Sequence, residues 1–288
     1  MMTVRWSVGS GGGACGGSWQ RNDELLRRFG SSGSVYLAFD ANRNKLAVKT
    51  ARLEKSSNLV RENRILEYFR DCPEIVGLYG DEITVEDGVR YYNLLLEYAL
   101  GGDLLDLIDK DGGHISQESV LRRYTRMILN GLSYIHAKGI VHCDLKPENI
   151  LAFPSEDGYQ LKITDFGLAK EAGEAASESK KYNYRGTPDY MSPESVPPRC
   201  EIETAMDIWS LGCVVLVMFT GEEMWRGTCG DVLDPEEIIR LLASTDVMPE
   251  TPKDMSEIGK DILSKCLQRD PSKRWSAQKL LDHPYVRS

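Results

Sequence analysis

His142-Cys143-Asp144-Leu145-Lys146-Pro147-Glu148-Asn149 crowds an imidazole, a carboxylate, an amine and a carboxamide into one short run, and Asp165-Phe166-Gly167 follows sixteen residues beyond Asn149. The residue types complement one another. A carboxylate such as Asp144 can orient an attacking hydroxyl. An amide oxygen (Asn149) and a second carboxylate (Asp165) are hard oxygen ligands of the kind magnesium selects. Lys146 brings a positive charge on a flexible stem to the same short loop. Each residue has a bland alternative when taken alone: Asp165 caps a turn, Lys49 ends a strand in solvent, Glu62 sits on a helix surface.

Working outward from that run, the chain upstream is strand-like. Val35–Phe39 and Lys45–Lys49 flank a turn at 40–44 and predict a hairpin. A helix is expected over roughly 57–70, then strands at 83–85 and 91–98. After Gly101-Gly102 the texture turns helical. Residues 116–138 open on Ser116 as an N-cap, repeat apolar residues at Val120, Tyr124, Met127, Ile128, Leu132 and Ile135, and close at Gly139. Residues 207–220 are almost wholly apolar after Asp207 and stop at Gly221, so they predict a buried helix too short to cross a bilayer. Asp234-Pro235-Glu236-Glu237 is a strong helix start. Strands first and helices later imply an α+β fold with a small sheet-rich lobe, about 19–97, a larger helical lobe, about 98–287, and a cleft between them. Residues 9–18 are Gly-rich, and 1–18 read as a flexible tail.

Composition narrows the function classes. The 288 residues carry a formal net charge of −9, which argues against a nucleic-acid binder. No apolar run reaches the ~20 residues of a membrane span, and the start shows no charged-then-apolar leader. Seven cysteines (15, 72, 143, 200, 213, 229, 266) are scattered without any Cys-x-x-Cys, which reads as reduced thiols in the cytosol or nucleus.

Taken together, the motifs resemble those of a eukaryotic protein kinase of the serine/threonine type, along nearly the whole chain from Trp19. The resemblance implies the two-lobed kinase fold, ATP and Mg²⁺ as cofactors, and transfer of the γ-phosphate to a protein hydroxyl. It casts Asp144 as the residue that orients the hydroxyl, Lys146 as the charge on the transferring group, and Asn149 and Asp165 as metal ligands. Gly30-Ser31-Ser32-Gly33-Ser34-Val35 is similar to the glycine-rich loop over the phosphates. Lys49, in Leu46-Ala47-Val48-Lys49, resembles the ATP lysine, with Glu62 as its helix partner. Leu96-Glu97-Tyr98-Ala99 resembles the hinge, which implies Leu96 as gatekeeper, the backbones of Glu97 and Ala99 facing adenine, and Asp103 at the ribose. Val35, Ala47 and Leu151 join the nucleotide-binding set. The resemblance also implies a packed column of His142, Leu66, Leu78 and Phe166 anchored by Asp207, and a pair between Glu194 of Ser192-Pro193-Glu194 and Arg274. Thr187 is expected to hydrogen-bond near Asp144 and not to receive phosphate. Gly186-Thr187-Pro188 and Lys146 fit a serine/threonine enzyme. The stretches around Asp144 and Pro193 look most like plant MAP kinase kinase kinases of the MEKK type, which implies a MAP kinase kinase as protein substrate.

Two departures carry expectations of their own. Cys143 stands where an arginine is usual, so loop phosphorylation should matter less; the thiol itself reads as a small packed side chain. Arg28 stands where the first loop glycine usually lies, which should weaken ATP binding. Ser177 and Ser179 are candidate phosphosites. Asp103 and Glu148 either favour a basic residue in the substrate or serve only ribose and solvent. Two other classes stay open at this level: a pseudokinase scaffold that binds nucleotide or partners without transfer, and a small-molecule kinase of the same design.

Overall fold

β2 (Gly33–Phe39) and β3 (Lys45–Arg52) form the expected antiparallel hairpin. Asp40 sets its turn. Its Oδ1 accepts from the N–H groups of Asn42 and Asn44, each at 2.8 Å, and its Oδ2 accepts from Asn44 Nδ2. The structure, a computed structural model, describes residues 19–29, 33–174, 186–196, 201–229, 234–244 and 246–287. The expected tail and the serines 177 and 179 lie outside the described residues. Contacts group the chain into two units. One holds the chain up to Leu100 together with Asp165–Gly167; the other holds Gly101–Thr164 and the chain from Leu168 onward.

In the first unit, β1 (Gln20–Phe29), β4 (Leu78–Glu86) and β5 (Val89–Glu97) complete an antiparallel sheet in the order β1-β2-β3-β5-β4. Register decides its two faces. Val35 lies opposite Lys49, Leu37 opposite Ala47, and Ala47 opposite Leu96, so these five side chains share one face. The other face buries Ala38, Leu46 and Val48 with Trp19, and Leu95 packs against them. Helix α1 (Ser57–Tyr68) buries Leu59, Glu62, Ile65 and Leu66. The strand expected at 83–85 is in fact the nine-residue β4. Its polar residues hid it, yet Thr84 is buried and Glu82 half-buried, and both are satisfied by neighbours. Asn93 Nδ2 donates to Thr84 Oγ1 at 2.9 Å, and Trp19 Nε1 donates to Glu82 Oε2 at 2.6 Å.

The second unit is built on α3 (Glu118–Ala137) and α4 (Thr204–Thr220). Along α3 the buried stripe is Leu121, Tyr124, Thr125, Ile128, Leu129, Leu132 and Ile135. Val120 and Met127, expected in that stripe, are only half-buried. Ser116 is not its N-cap. Gln117 holds that position without a side-chain cap, while Ser116 N and Oγ donate to Asp111 Oδ2. The α4 helix is buried from Met206 to Met218, as its apolar run predicts. Gly221 closes it in the left-handed region at φ +69°, the usual glycine stop. Helix α2 (Leu104–Lys110) precedes α3. The short helix α5 (Arg226–Cys229) follows α4, and α6 (Pro235–Ser244) comes next. The predicted start of α6 is a capping box: Glu237 N donates to Asp234 Oδ1 and Asp234 N to Glu237 Oε2. Helices α7 (Glu257–Cys266), α8 (Ala277–Leu280) and α9 (Pro284–Arg287) complete the unit. Two small antiparallel pairs carry its loops: β6 (Ile140–Val141) with β9 (Lys170–Glu171), and β7 (Ile150–Ser155) with β8 (Gly158–Ile163). Among the described residues no helix is long and apolar enough to cross a membrane.

Candidate active site

In the first unit the alternation of β3 turns Lys49 into the protein, where it is 2% exposed. Such a charge is tolerated only when paired. Lys49 Nζ donates to Glu62 Oε2 at 2.6 Å and to Asp165 Oδ1 at 2.8 Å. Burial pushes the lysine's pKa down, but the two carboxylates outweigh it and the net shift is upward. Burial pushes the Glu62 carboxyl up to about 7, only partly countered by Lys49. Asp165 sits at φ +62°, a left-handed backbone that aspartate tolerates better than most residues with a Cβ. Its Oδ1 also accepts from Gly167 N at 3.3 Å. Phe166 is fully buried and meets the Phe69 ring at 5.5 Å. Leu66 and Leu78 are buried as expected. Phe69 was the missed contact; its place after the last residue of α1, next to a hydrophobic stripe, is the signal that could have found it.

The nucleotide-binding candidates of this unit fall on one sheet face. Val35, Ala47 and Leu96 share it with Lys49. Gly33 opens β2 at φ +106°, and a Cβ there would collide with Thr50 O. Only glycine fits. Gly30, Ser31 and Ser32 lie outside the described residues; Arg28 pairs with Ser34 in the β1–β2 ladder. Ala99 is half-buried. Glu97 N donates to Gly77 O at 2.9 Å and its carboxylate accepts from Gly77 N at 3.1 Å, so any adenine contact of Glu97 falls to its carbonyl.

In the second unit the eight-residue run is fastened from below. Asp207, fully buried at the start of α4, accepts from His142 N (Oδ2, 2.8 Å) and Cys143 N (Oδ1, 3.0 Å), and lies 2.8 Å from His136 Nε2. Burial raises its pKa, but the hydrogen bonds and the histidines prevail and hold it below the ordinary carboxyl value. These bonds hold Cys143 at φ +66°. The Cys143 side chain packs on Val141, Ile202 and Met206, as expected of a small packed thiol. His142 is structural. Asp144 N donates to its Nδ1 at 3.3 Å, so Nε2 carries the proton given to Thr164 O at 2.9 Å. The hydrogen bond at one ring nitrogen fixes the tautomer at the other.

On this base stands a chain of polar contacts. Lys146 Nζ donates to Thr187 Oγ1 at 2.7 Å, and Thr187 Oγ1 donates to Asp144 Oδ1 at 2.8 Å. Asn149 Nδ2 donates to Asp144 O at 2.8 Å and to Oδ2 at 3.2 Å. Gly186 makes the approach of Thr187 possible: it sits at φ +100°, and a Cβ there would meet Cys143 O at 2.7 Å. Glu194 and Arg274 pair as expected, with Arg274 Nη2 to Glu194 Oε2 at 2.8 Å. Asp103 has a role the sequence reading missed. It caps α2, its Oδ1 accepting from Leu105 N and Asp106 N while Asp106 Oδ2 accepts from Asp103 N. The Asp103-x-x-Asp106 spacing was the available signal. Leu151 forms an isolated bridge with Asp103. Glu148, one reading of which left it to solvent, is half-buried.

Metal ligation can be tested on one atom. Asn149 is fully buried, and its Oδ1 finds no hydrogen-bond partner among the described residues while its amide nitrogen is fixed on Asp144. A buried oxygen held in place and left without a donor fits a hard cation.

Comparison with known proteins places this geometry in context. The family model described as Protein kinase domain matches residues 29–286. Mitogen-activated protein kinase kinase kinase 20 of Arabidopsis thaliana is 44% identical over 245 residues, 84% of this chain and 69% of that protein. Mitogen-activated protein kinase kinase kinase 17 of the same plant is 41% identical over 270 residues, 93% of this chain and 69% of its own length. Mitogen-activated protein kinase kinase kinase 18 is 39% identical over 276 residues, 93% and 77% respectively.

Proposed function

The chain belongs to the protein kinase family as a serine/threonine kinase, and from that premise we propose that it phosphorylates MAP kinase kinases, using ATP and magnesium, in the cytosol or nucleus. The observation that carries the catalytic part of this reading is the Lys146–Thr187–Asp144 chain with Asn149 behind it. It fixes one carboxylate oxygen toward a hydroxyl, which is the geometry a hydroxyl nucleophile requires. Thr187 braces one oxygen of the Asp144 carboxylate, which would meet the substrate hydroxyl. Lys146, bonded to Thr187, would lie beside that carboxylate and meet the negative charge of a transferring phosphoryl group.

The remaining roles follow from the chemistry of each side chain. Lys49, oriented by Glu62, is suited to the α- and β-phosphates. Asn149 and Asp165 would hold magnesium, which when bound neutralises phosphate charge. Backbone amides at Gly30, Ser31, Ser32 and Gly33 would cover the phosphates. Val35, Ala47, Leu96 and Leu151 would contact adenine, with the Glu97 carbonyl and the Ala99 backbone at its polar edge. Asp103 would meet the ribose. The identity of the substrate rests on likeness to proteins named MAP kinase kinase kinases.

Labelled γ-phosphate transfer to a panel of inactive MAP kinase kinases and a generic basic protein tests it. Labelling of serine or threonine on one or a few panel members, well above the generic protein, is the expected result. Equal labelling of everything would remove the proposed substrate class while leaving the kinase.

A further inference from the structure

The turn that follows β9 is joined to Asp144 by a continuous set of contacts within the second unit. Lys170 Nζ pairs with Glu174 Oε1 at 2.9 Å, and Glu174 Oε2 accepts from Glu171 N at 3.1 Å. Glu174 N in turn donates to Glu171 O, so the carboxylate closes a turn over 171–174. The closed turn grips one residue of a distant segment from both sides. Gly173 N donates to Ile202 O at 2.8 Å, and Ile202 N donates to Glu174 O at 3.1 Å. Ile202 is 2% exposed and packs with Val141 and Met206, and Cys143 lies against that cluster. Cys143 is the immediate neighbour of Asp144. The same turn also ends β9, whose partner β6 runs directly into His142-Cys143-Asp144.

Cys143 needs such support. Its left-handed backbone is unfavourable for a residue with a Cβ, and Asp207 holds only its N–H. Its thiol donates to Val141 O at 3.5 Å and packs against the cluster of Val141, Ile202 and Met206, and Ile202 is placed by both of its backbone hydrogen bonds to 173 and 174. A small shift of Ile202 would therefore let Cys143 relax and tilt the Asp144 carboxylate away from Thr187. Misplacement of a reacting group by about 1 Å costs on the order of 100-fold in rate, so a fraction of that shift is enough to be read kinetically.

We propose that Glu174, through its ion pair with Lys170, is a positioning residue for Asp144: the pair closes the turn that seats Ile202 under Cys143. The inference rests on the reading of Asp144 as the residue that orients the substrate hydroxyl. It assigns a role in the reaction to two side chains that touch neither substrate nor nucleotide.

Steady-state transfer by phosphatase-treated wild type, Glu174→Gln, Lys170→Met, Lys170→Arg and the double variant Lys170→Met/Glu174→Gln tests it. Phosphatase treatment ensures that no loop phosphate substitutes for the carboxylate. Glu174→Gln and Lys170→Met are each expected to lower kcat by about 5- to 20-fold, with the KM for ATP within twofold and the thermal midpoint within about 2 °C. The double variant should be no worse than either single one, because the two groups act as a pair. Lys170→Arg keeps the charge and should stay within twofold of wild type. Wild-type kcat in Glu174→Gln, losses that multiply in the double variant, or a loss that merely tracks the thermal midpoint would each overturn the proposal. No transfer by wild type would instead overturn the kinase reading beneath it.

Discussion

The two units hold their functional side chains in opposite ways. In the first, Lys49 and Glu62 are sealed from solvent at 2% and 1% exposure, and charge is balanced against charge. In the second, Lys146 and Asp144 are 18% and 11% exposed; they form a looser ion pair at 3.5 Å that the Thr187 hydroxyl also bridges, while a fully buried carboxylate, Asp207, is fastened to the backbone beneath them. The contrast teaches where stability and chemistry are coupled. A buried ion pair that loses one partner leaves an uncompensated charge, so damage to the Lys49 cluster destabilises the fold as well as the reaction. Loss of Asp144 or Lys146 exposes their partners to water and costs mainly rate. In the second unit, stability resides in the anchor instead.

The anchor should therefore show the largest loss of stability. Asp207→Asn leaves two backbone donors competing for one carbonyl and is expected to cost about 3–5 kcal/mol in urea unfolding. Because Asp207's folded pKa lies below its unfolded value, its contribution is present above about pH 4 and is lost as pH falls through the folded value. Wild type should lose that stabilisation in acid and Asp207→Asn should not. An Asp207→Asn protein as stable as wild type would break the assignment.

Lys49→Met comes next. With Glu62 and Asp165 left buried, a loss of about 2–4 kcal/mol is expected. Adding Glu62→Leu should recover much of that stability while activity stays lost, because an apolar pair replaces an ionic one. Failure of the second change to recover stability would show that the pair is not the source of the cost.

The pH dependence of the same pair sharpens the comparison. Glu62's folded pKa of about 7 lies above its ordinary 4.5, so the folded state keeps a proton that the unfolded state has lost. Its contribution to stability is full below about pH 4.5 and is lost as pH rises through about 7. Activity runs the other way, since orienting Lys49 requires the ionised carboxylate, so kcat/KM should rise through the same range. Glu62→Gln should remove that rising limb; a limb unchanged in the variant would assign it elsewhere.

The smallest effect is at Asp103. Asp103→Ala removes a helix cap and should cost about 1 kcal/mol, whereas Asp103→Asn, a good cap, should restore stability. If the ribose role also holds, neither variant should recover the wild-type KM for ATP. A KM unchanged in both would leave Asp103 with the cap alone.

What was legible in the sequence follows from these same physical distinctions. Residues whose chemistry is local could be read directly: the hairpin with Asp40 at its turn, the helix start at Asp234 and the apolar run of α4; Lys49, Glu62, Asp144, Lys146, Asn149 and Asp165 were legible only through their order, which resembles that of a protein kinase. Each unit brings its share of that set together, Lys49, Glu62 and Asp165 in one, Asp144, Lys146 and Asn149 in the other. Contacts that depend on tertiary placement were hidden. The β4 strand was shortened because Gly80, Asp81 and Glu82 look like loop residues until the register with β5 and the Trp19–Glu82 hydrogen bond are seen. Ser116 has the right residue type for a cap, but Asp111 captures its hydroxyl. The Lys170–Glu174 turn means nothing until Ile202 is found between its hydrogen bonds.

The measurement that goes most directly to the central claim is Asp144→Asn, with phosphoryl transfer and nucleotide affinity read on the same preparation. Asparagine keeps the shape and can still meet Thr187, but it cannot accept a proton from the attacking hydroxyl. We expect kcat to fall by about 10²- to 10⁴-fold, with ATP affinity within about threefold and the thermal midpoint close to wild type. Transfer that survives in Asp144→Asn at near the wild-type rate would contradict the account, because the carboxylate at the centre of the second unit would then have no part in the reaction.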